Sequence, residues 1–174
     1  MTSETRKEIV SWIKVVVIAV VAAFIINRFI IIHATVPTGS MMDTIPEKSR
    51  IVAFRLSYLL DEPKRYDIVI FPAPDSPDVL FVKRIIGMPG ETIRIIGGKV
   101  YLEGSDEPLD DFFIRELSHD TSGPYHIPEG CYFMMGDNRT NSEDSRRWNH
   151  TFLERDQIQG KLLFSYYPKL KWVR

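Results

Sequence analysis

Apolar positions along this chain follow two different patterns. The first is a nearly unbroken run from Ile9, in which Trp12 to Ile32 is interrupted only by Lys14, Asn27 and Arg28. At about 1.5 Å per residue a helix over that stretch spans about 30 Å, the hydrocarbon thickness of a bilayer. We predict a tail over 1–11, a membrane anchor over 12–32 and a folded domain over 33–174. A cleaved signal peptide also opens on basic residues, but its apolar core is only about 7–15 residues long, and no small-x-small site follows cleanly here. The reading is therefore an uncleaved anchor. Arg6, Lys7 and Lys14 on the amino side outnumber Arg28 on the other, which predicts a cytoplasmic amino terminus and an extracytoplasmic domain after His33.

Beyond the anchor the period shortens. Runs rich in β-branched and aromatic residues lie at Arg50 to Phe54, Asp67 to Phe71, Leu80 to Ile86, Thr92 to Ile96, Lys99 to Leu102, Tyr132 to Met135 and Lys161 to Tyr167. Gly97-Gly98, Met88-Pro89-Gly90-Glu91 and Pro128-Glu129-Gly130 punctuate them as turns. The expected domain is mainly β. Ser57 to Leu60 and Leu153 to Ile158 are long enough only for single helical turns. Glu103 to Pro124, acidic and rich in turn residues, is expected to be a surface excursion anchored by Phe112 and Phe113.

Composition narrows the function. With 174 residues, 44% of them hydrophobic, one anchor and one domain with its own core are accounted for. A net charge of −1 lacks the basic footprint that phosphate contacts need, so nucleic acid is not an expected partner. The lone Cys131 cannot form an internal disulfide and reads as a packed strand residue.

Candidate chemistry begins at Pro37-Thr38-Gly39-Ser40-Met41, just past the anchor. Ser40 is the candidate nucleophile and Thr38 offers a second hydroxyl two residues away. A serine needs a positioned base. His33, His119, His126 and His150 stand in no recognisable triad context, although a triad assembles in space and stays open here. No paired Cys/His spacing suggests a metal, and no cofactor is expected. Lys83 is the better base: it lies inside the apolar run Val79 to Ile86, where strand alternation should turn either Lys83 or Arg84 inward. Only lysine, once desolvated, can lose its proton near neutral pH. Hydrogen-bonding residues then crowd the loop Gly136 to Arg146.

Three segments, Pro-Thr-Gly-Ser-Met at Pro37, Lys-Arg-Ile-Ile-Gly-Met-Pro-Gly-Glu at Lys83 and Gly-Asp-Asn-Arg-x-x-Ser-x-Asp-Ser-Arg at Gly136, occur in that order after one anchor. Together with Tyr66 to Phe71 they resemble the boxes of bacterial type I signal peptidases, in pieces from Val36 to Pro168. Asp43 departs from the family's usual proline, which bears on the rigidity of its loop.

The resemblance implies an antiparallel coiled-sheet domain and a Ser40/Lys83 dyad. It implies that the Ser40 N–H and the Thr38 hydroxyl form an oxyanion hole, with Ser142 orienting Lys83. Asp144 and Arg146, and likewise Asp137 and Arg139, would be structural ion pairs. Val36, Pro37, Met41, Ile45, Phe81 and Val82 would lie near the substrate, in shallow pockets for small side chains. The implied partners are secretory preproteins, added as an extended strand, and the bilayer, with a monomer as the expected state. Gly87, Pro89 and Gly90 read as turn geometry. Two other readings stay open: a repressor-like Ser/Lys autoprotease, and a membrane-tethered binding module that has lost catalysis.

Overall fold

The computed structural model describes residues 3–42, 44–59 and 61–173, with side chains from Lys7 onward. Asp43, Leu60 and the side chain of Arg6 therefore lie outside the described residues. Helix α1 (Ser3–Ile25) continues as a wider, π-type turn over Ile26–Ile30. Asn27 helps to explain the change, because its side-chain amide donates to the Ala23 carbonyl at 3.0 Å and competes with the regular ladder. Lys7–Ile30 is long and apolar enough to cross a membrane, and none of it is buried against the protein.

The helical segment stops two residues before the expected boundary. Ile31 and Ile32 open strand β1 (Ile31–Thr35), where Ile31 pairs with Phe54 and Ile32 with Ala53. Uniform hydrophobicity concealed this change, since an apolar isoleucine suits a lipid-facing helix and a buried strand equally.

The remaining strands are β2 (Arg50–Phe54), β3 (Ile68–Ala73), β4 (Ser76–Gly87), β5 (Thr92–Ile96), β6 (Lys99–Leu102), β7 (Ser122–His126), β8 (Cys131–Met135), β9 (Leu153–Glu154), β10 (Gly160–Tyr167) and β11 (Lys171–Trp172). The pairings among them are antiparallel. The large sheet runs β1-β2-β10-β3-β4-β8-β9 with β11 on β10, and a smaller sheet runs β6-β5-β7. The protein is thus mainly antiparallel β with one amino-terminal apolar helix. The helical turn expected within Leu153 to Ile158 is present as a 3-10 turn over Arg155–Gln157, preceded by the short strand β9, which was not expected.

The central strands are covered on both faces. In β3, Ile68 and Ile70 enter one apolar cluster with Met41, Ile45 and Ile51, while the alternate residues Val69 and Phe71 enter another with Ile85, Tyr132 and Met134. In β8 the same alternation sends Phe133 and Met135 to a third cluster with Ile93 and Ile95. Strand β4 crosses this two-sided interior. Consequently Lys83 and Arg84 are both buried, where one-sided alternation had predicted a single inward side chain.

The excursion after β6 is tied down by Phe113, not by both phenylalanines. Phe113 packs on Tyr66 at 5.6 Å and on the Arg84 guanidinium at 4.1 Å, whereas Phe112 is 72% exposed. The end of the excursion, Ser122 to Pro124, belongs to β7. Cys131 is half-buried and packs against the third cluster.

Candidate active site

Ser40 stands in a 3-10 turn over Gly39–Met41, immediately after β1 and its extension. The turn is fixed from below by Met41, which is fully buried, and by Ile45, whose N–H donates to the Met41 carbonyl. From above, Asn138 clamps it: its N–H donates to the Ser40 carbonyl at 3.1 Å, and its side-chain amide donates to the Gly39 carbonyl at 2.9 Å. The two segments approach so closely at Gly136 that a Cβ there would overlap Ser142 Oγ and lie 2.5 Å from the Ser40 carbonyl oxygen. Only glycine fits that position.

A cleft of about 210 Å³ opens beside the serine. The end of β1 and residues Val36 to Ser40 form one wall, Val79 to Lys83 of β4 the other, with Ile70 at the base and Asn141 and Glu143 at the lip. Ser40 and Lys83 both line it. Ser40 Oγ and Thr38 Oγ1 are 3.4 Å apart. Lys83 Nζ donates to Ser142 Oγ at 3.2 Å and sits 5.2 Å from the centre of the Phe81 ring. No hydrogen bond directly joins Ser40 Oγ to Lys83 Nζ among the described residues.

Lys83 is 2% exposed and has no carboxylate bonded to it among the described residues. Burial disfavours its ammonium form more strongly than the charges of Asp144 and Glu143 favour it, and its pKa is brought down to about 8. Asp144 behaves oppositely. Burial works against its charge, but Arg146 and the hydrogen bonds from Gly136 and Ser142 outweigh that cost and hold the carboxyl below its ordinary range. The Arg146 fork meets Asp144 at 2.8 Å on each oxygen, and its remaining nitrogen reaches Asp120 at 2.5 Å. Ser142 therefore links the lysine to a carboxylate that is already committed to an arginine.

Asp137 does not pair with Arg139. Its carboxylate takes two hydrogen bonds from Arg84, at 2.8 and 2.7 Å, and a third from the Thr44 hydroxyl. Its N–H points at the Met41 sulfur, 3.4 Å away. Strand geometry explains the exchange of partners: β4 presents Arg84 to the face opposite Lys83, where Asp137 waits at the end of β8. Arg139 is buried elsewhere, with a long contact of 3.5 Å to the Gly98 carbonyl.

Other expected positions divide in the same way. Val36, Pro37, Phe81 and Val82 line the cleft. Met41 and Ile45 do not; both are fully buried in the cluster beneath it, so they support the wall and do not form it. All four histidines are exposed, and none lines the cleft. Several lining residues had no sequence signal of their own: Ala34, Thr35, Ile70, Val79 and Leu80 look like ordinary strand or anchor-edge residues, and Asn141 and Glu143 like polar loop positions. Arg84 did carry a signal, since an arginine in an apolar run requires a buried counter-charge.

Residues 9–167 match the family model described as signal peptidase, peptidase S26. The chain belongs to that family. Among its relatives is the signal peptidase I S of Bacillus subtilis (strain 168), 37% identical over 94% of this chain and 91% of the relative. Another is the probable signal peptidase I-1 of Synechocystis sp. (strain ATCC 27184 / PCC 6803 / Kazusa), 33% identical over 92% of this chain and 83% of the relative. These matches cover both the apolar helix and the β domain, so the family assignment applies to the chain as a whole. The crystal structure of a signal peptidase I from Enterococcus faecalis V583 aligns with 59% of this chain and 97% of its own length, at 28% identity and a TM-score of 0.43. Membership of the family makes this protein a peptidase of the signal-peptide-processing class, and its apolar helix fits a membrane anchor.

Proposed function

We propose that this protein is a membrane-anchored serine endopeptidase that removes signal peptides from secreted preproteins, cutting after small residues with Ser40 as nucleophile and Lys83 as general base. One observation carries the reading: a lysine buried in the same cleft as the serine, with its pKa brought down to about 8. An unperturbed lysine would be less than about 1% neutral at pH 8. Burial brings Lys83 into the range where a substantial neutral fraction is present at that pH.

In this mechanism neutral Lys83 takes the Ser40 hydroxyl proton as Oγ attacks the scissile carbonyl. The Ser40 N–H and the Thr38 hydroxyl receive the negative charge that develops on the carbonyl oxygen. Losing one such donor typically costs about 10²–10³ in rate. The Lys83 ammonium then protonates the departing nitrogen as the C–N bond breaks. Water, deprotonated by the same amine, hydrolyses the resulting ester and restores Ser40.

The wall of the cleft supports a peptide substrate. Strand β4 pairs with β8 only from Arg84 onward, so among the described residues its earlier part has no strand neighbour on that side. An extended peptide can add there by main-chain hydrogen bonds, and its alternate side chains then meet Val36, Phe81 and Val82. A cleft of about 210 Å³ favours small side chains over aromatic ones. The basic residues Lys7 and Lys14 support a cytoplasmic amino terminus and a β domain outside the membrane. Protease added to right-side-out vesicles should then digest the domain and spare the tail; the reverse pattern would invert the topology.

The functional test is Ser40→Ala in a reconstituted preprotein cleavage assay. Cleavage should be lost while membrane insertion and the far-UV circular dichroism spectrum are kept. Normal turnover by this variant would refute the nucleophile assignment and turn attention to Ser142 and Ser145.

A further inference from the structure

The cleft contains one charged side chain that the mechanism above does not use. Among its described lining residues, Lys83 and Glu143 carry the ionisable side chains. The others are apolar, hydroxyl, amide or glycine. Glu143 is exposed and makes no hydrogen bond or ion pair among the described residues. Its neighbours differ sharply: Ser142 is buried on Lys83 Nζ, and Asp144 is buried under the Arg146 fork. Glu143 is thus a single unpaired carboxylate at the lip, on a backbone held from both sides.

We infer that Glu143 is a specificity determinant, favouring preproteins with a cationic side chain just beyond the scissile bond and disfavouring acidic ones. The inference rests on the Ser40/Lys83 reading, because that reading fixes the direction of the substrate. The leaving nitrogen must be protonated by Lys83, so the departing segment passes on the Lys83–Ser142 side of Ser40. Glu143 follows Ser142 in the chain, lines the same cleft, and is close enough for its charge to act on Lys83. When Lys83 is neutral, Glu143 is the charge that an arriving peptide meets among the described lining residues, and apolar walls focus its field into the cleft. The carboxylate itself is solvated, which limits its effect. Exposed pairs of this kind correspond to roughly two- to five-fold in rate per charge step, and they weaken as salt shortens the Debye length.

The test uses the full chain in detergent micelles and three preproteins identical except for Lys, Gln or Glu at the first residue after the cut. The ratios of kcat/KM are compared, because the ionisation of Lys83 in the free enzyme cancels within one enzyme. Wild type should rank Lys above Gln above Glu, with the spread shrinking as salt is raised. Glu143→Gln should flatten the series, and Glu143→Lys should reverse it. Equal rates in wild type, or an unchanged ranking in both variants, would overturn the inference while leaving the peptidase reading intact. Failure of wild type to cut any of the three, or cutting that survives Ser40→Ala, would overturn both.

Discussion

Ser142 Oγ accepts a hydrogen bond from Lys83 Nζ at 3.2 Å, and both side chains are buried. The contact fixes the direction of the amine, while the hydroxyl proton of Ser142 supports Asp144. Ser142→Ala removes the acceptor and leaves the lysine tether free to rotate. Hydrogen bonds to charged groups contribute about 1.5–3 kcal/mol, so kcat should fall by about 10- to 100-fold with little change in KM. Steady-state kinetics on a preprotein substrate would check this split. A rise in KM at constant kcat would move Ser142 from lysine positioning to substrate binding.

Gly136 should be equally sensitive, for a steric reason. The alanine methyl would overlap Ser142 Oγ and press on the Ser40 carbonyl, and both neighbours belong to the site. Overpacking of this kind costs about 1–3 kcal/mol. Gly136→Ala should therefore fold with a lowered melting temperature and lose most of its turnover. Wild-type kinetics in that variant would mean that the two segments are not held together as tightly as described.

The strand runs were legible in the sequence because β-branched and aromatic residues cluster in them and glycine and proline mark their ends, even though the central strands are buried on both faces. The strands that escaped notice had no such contrast. Ile31 and Ile32 looked like more anchor, Leu153–Glu154 is too short to show a period, and Ser122–His126 carries a glycine and a proline. Ser40 and Lys83 could be named because chemistry restricts the residue types that serve as nucleophile and base. Their surroundings could not. Whether Asp137 meets Arg84 or Arg139 depends on which face of β4 each side chain leaves from, and Met41 and Ile45 differ from Val36 only in lying beneath the cleft wall.

A buried lysine also leaves a thermodynamic trace. Its pKa is about 8 in the folded protein against 10.5 ordinarily. Between those values the unfolded chain binds a proton that the folded protein does not, so stability falls as pH is lowered through that window and levels off below it. Lys83→Met removes the group. At pH 7 this variant should be more stable than wild type, by roughly 3 kcal/mol at most, and the advantage should shrink from about pH 8 upward and be gone above pH 10.5. Urea unfolding of the detergent-solubilised chain at several pH values would measure it. A difference between the two proteins that does not vary with pH would mean that Lys83 titrates normally.

The central claim, that neutral Lys83 is the base for Ser40, is tested most directly by the pH dependence of kcat/KM on a preprotein substrate. The acid limb of that profile reports the free enzyme's base. It should bend near pH 8, and it should be absent altogether in Lys83→Arg, which is expected to be inactive because a guanidinium cannot release its proton. Substantial activity in Lys83→Arg, or a limb near pH 6.5 that disappears when His33, His119, His126 or His150 is replaced, would contradict it.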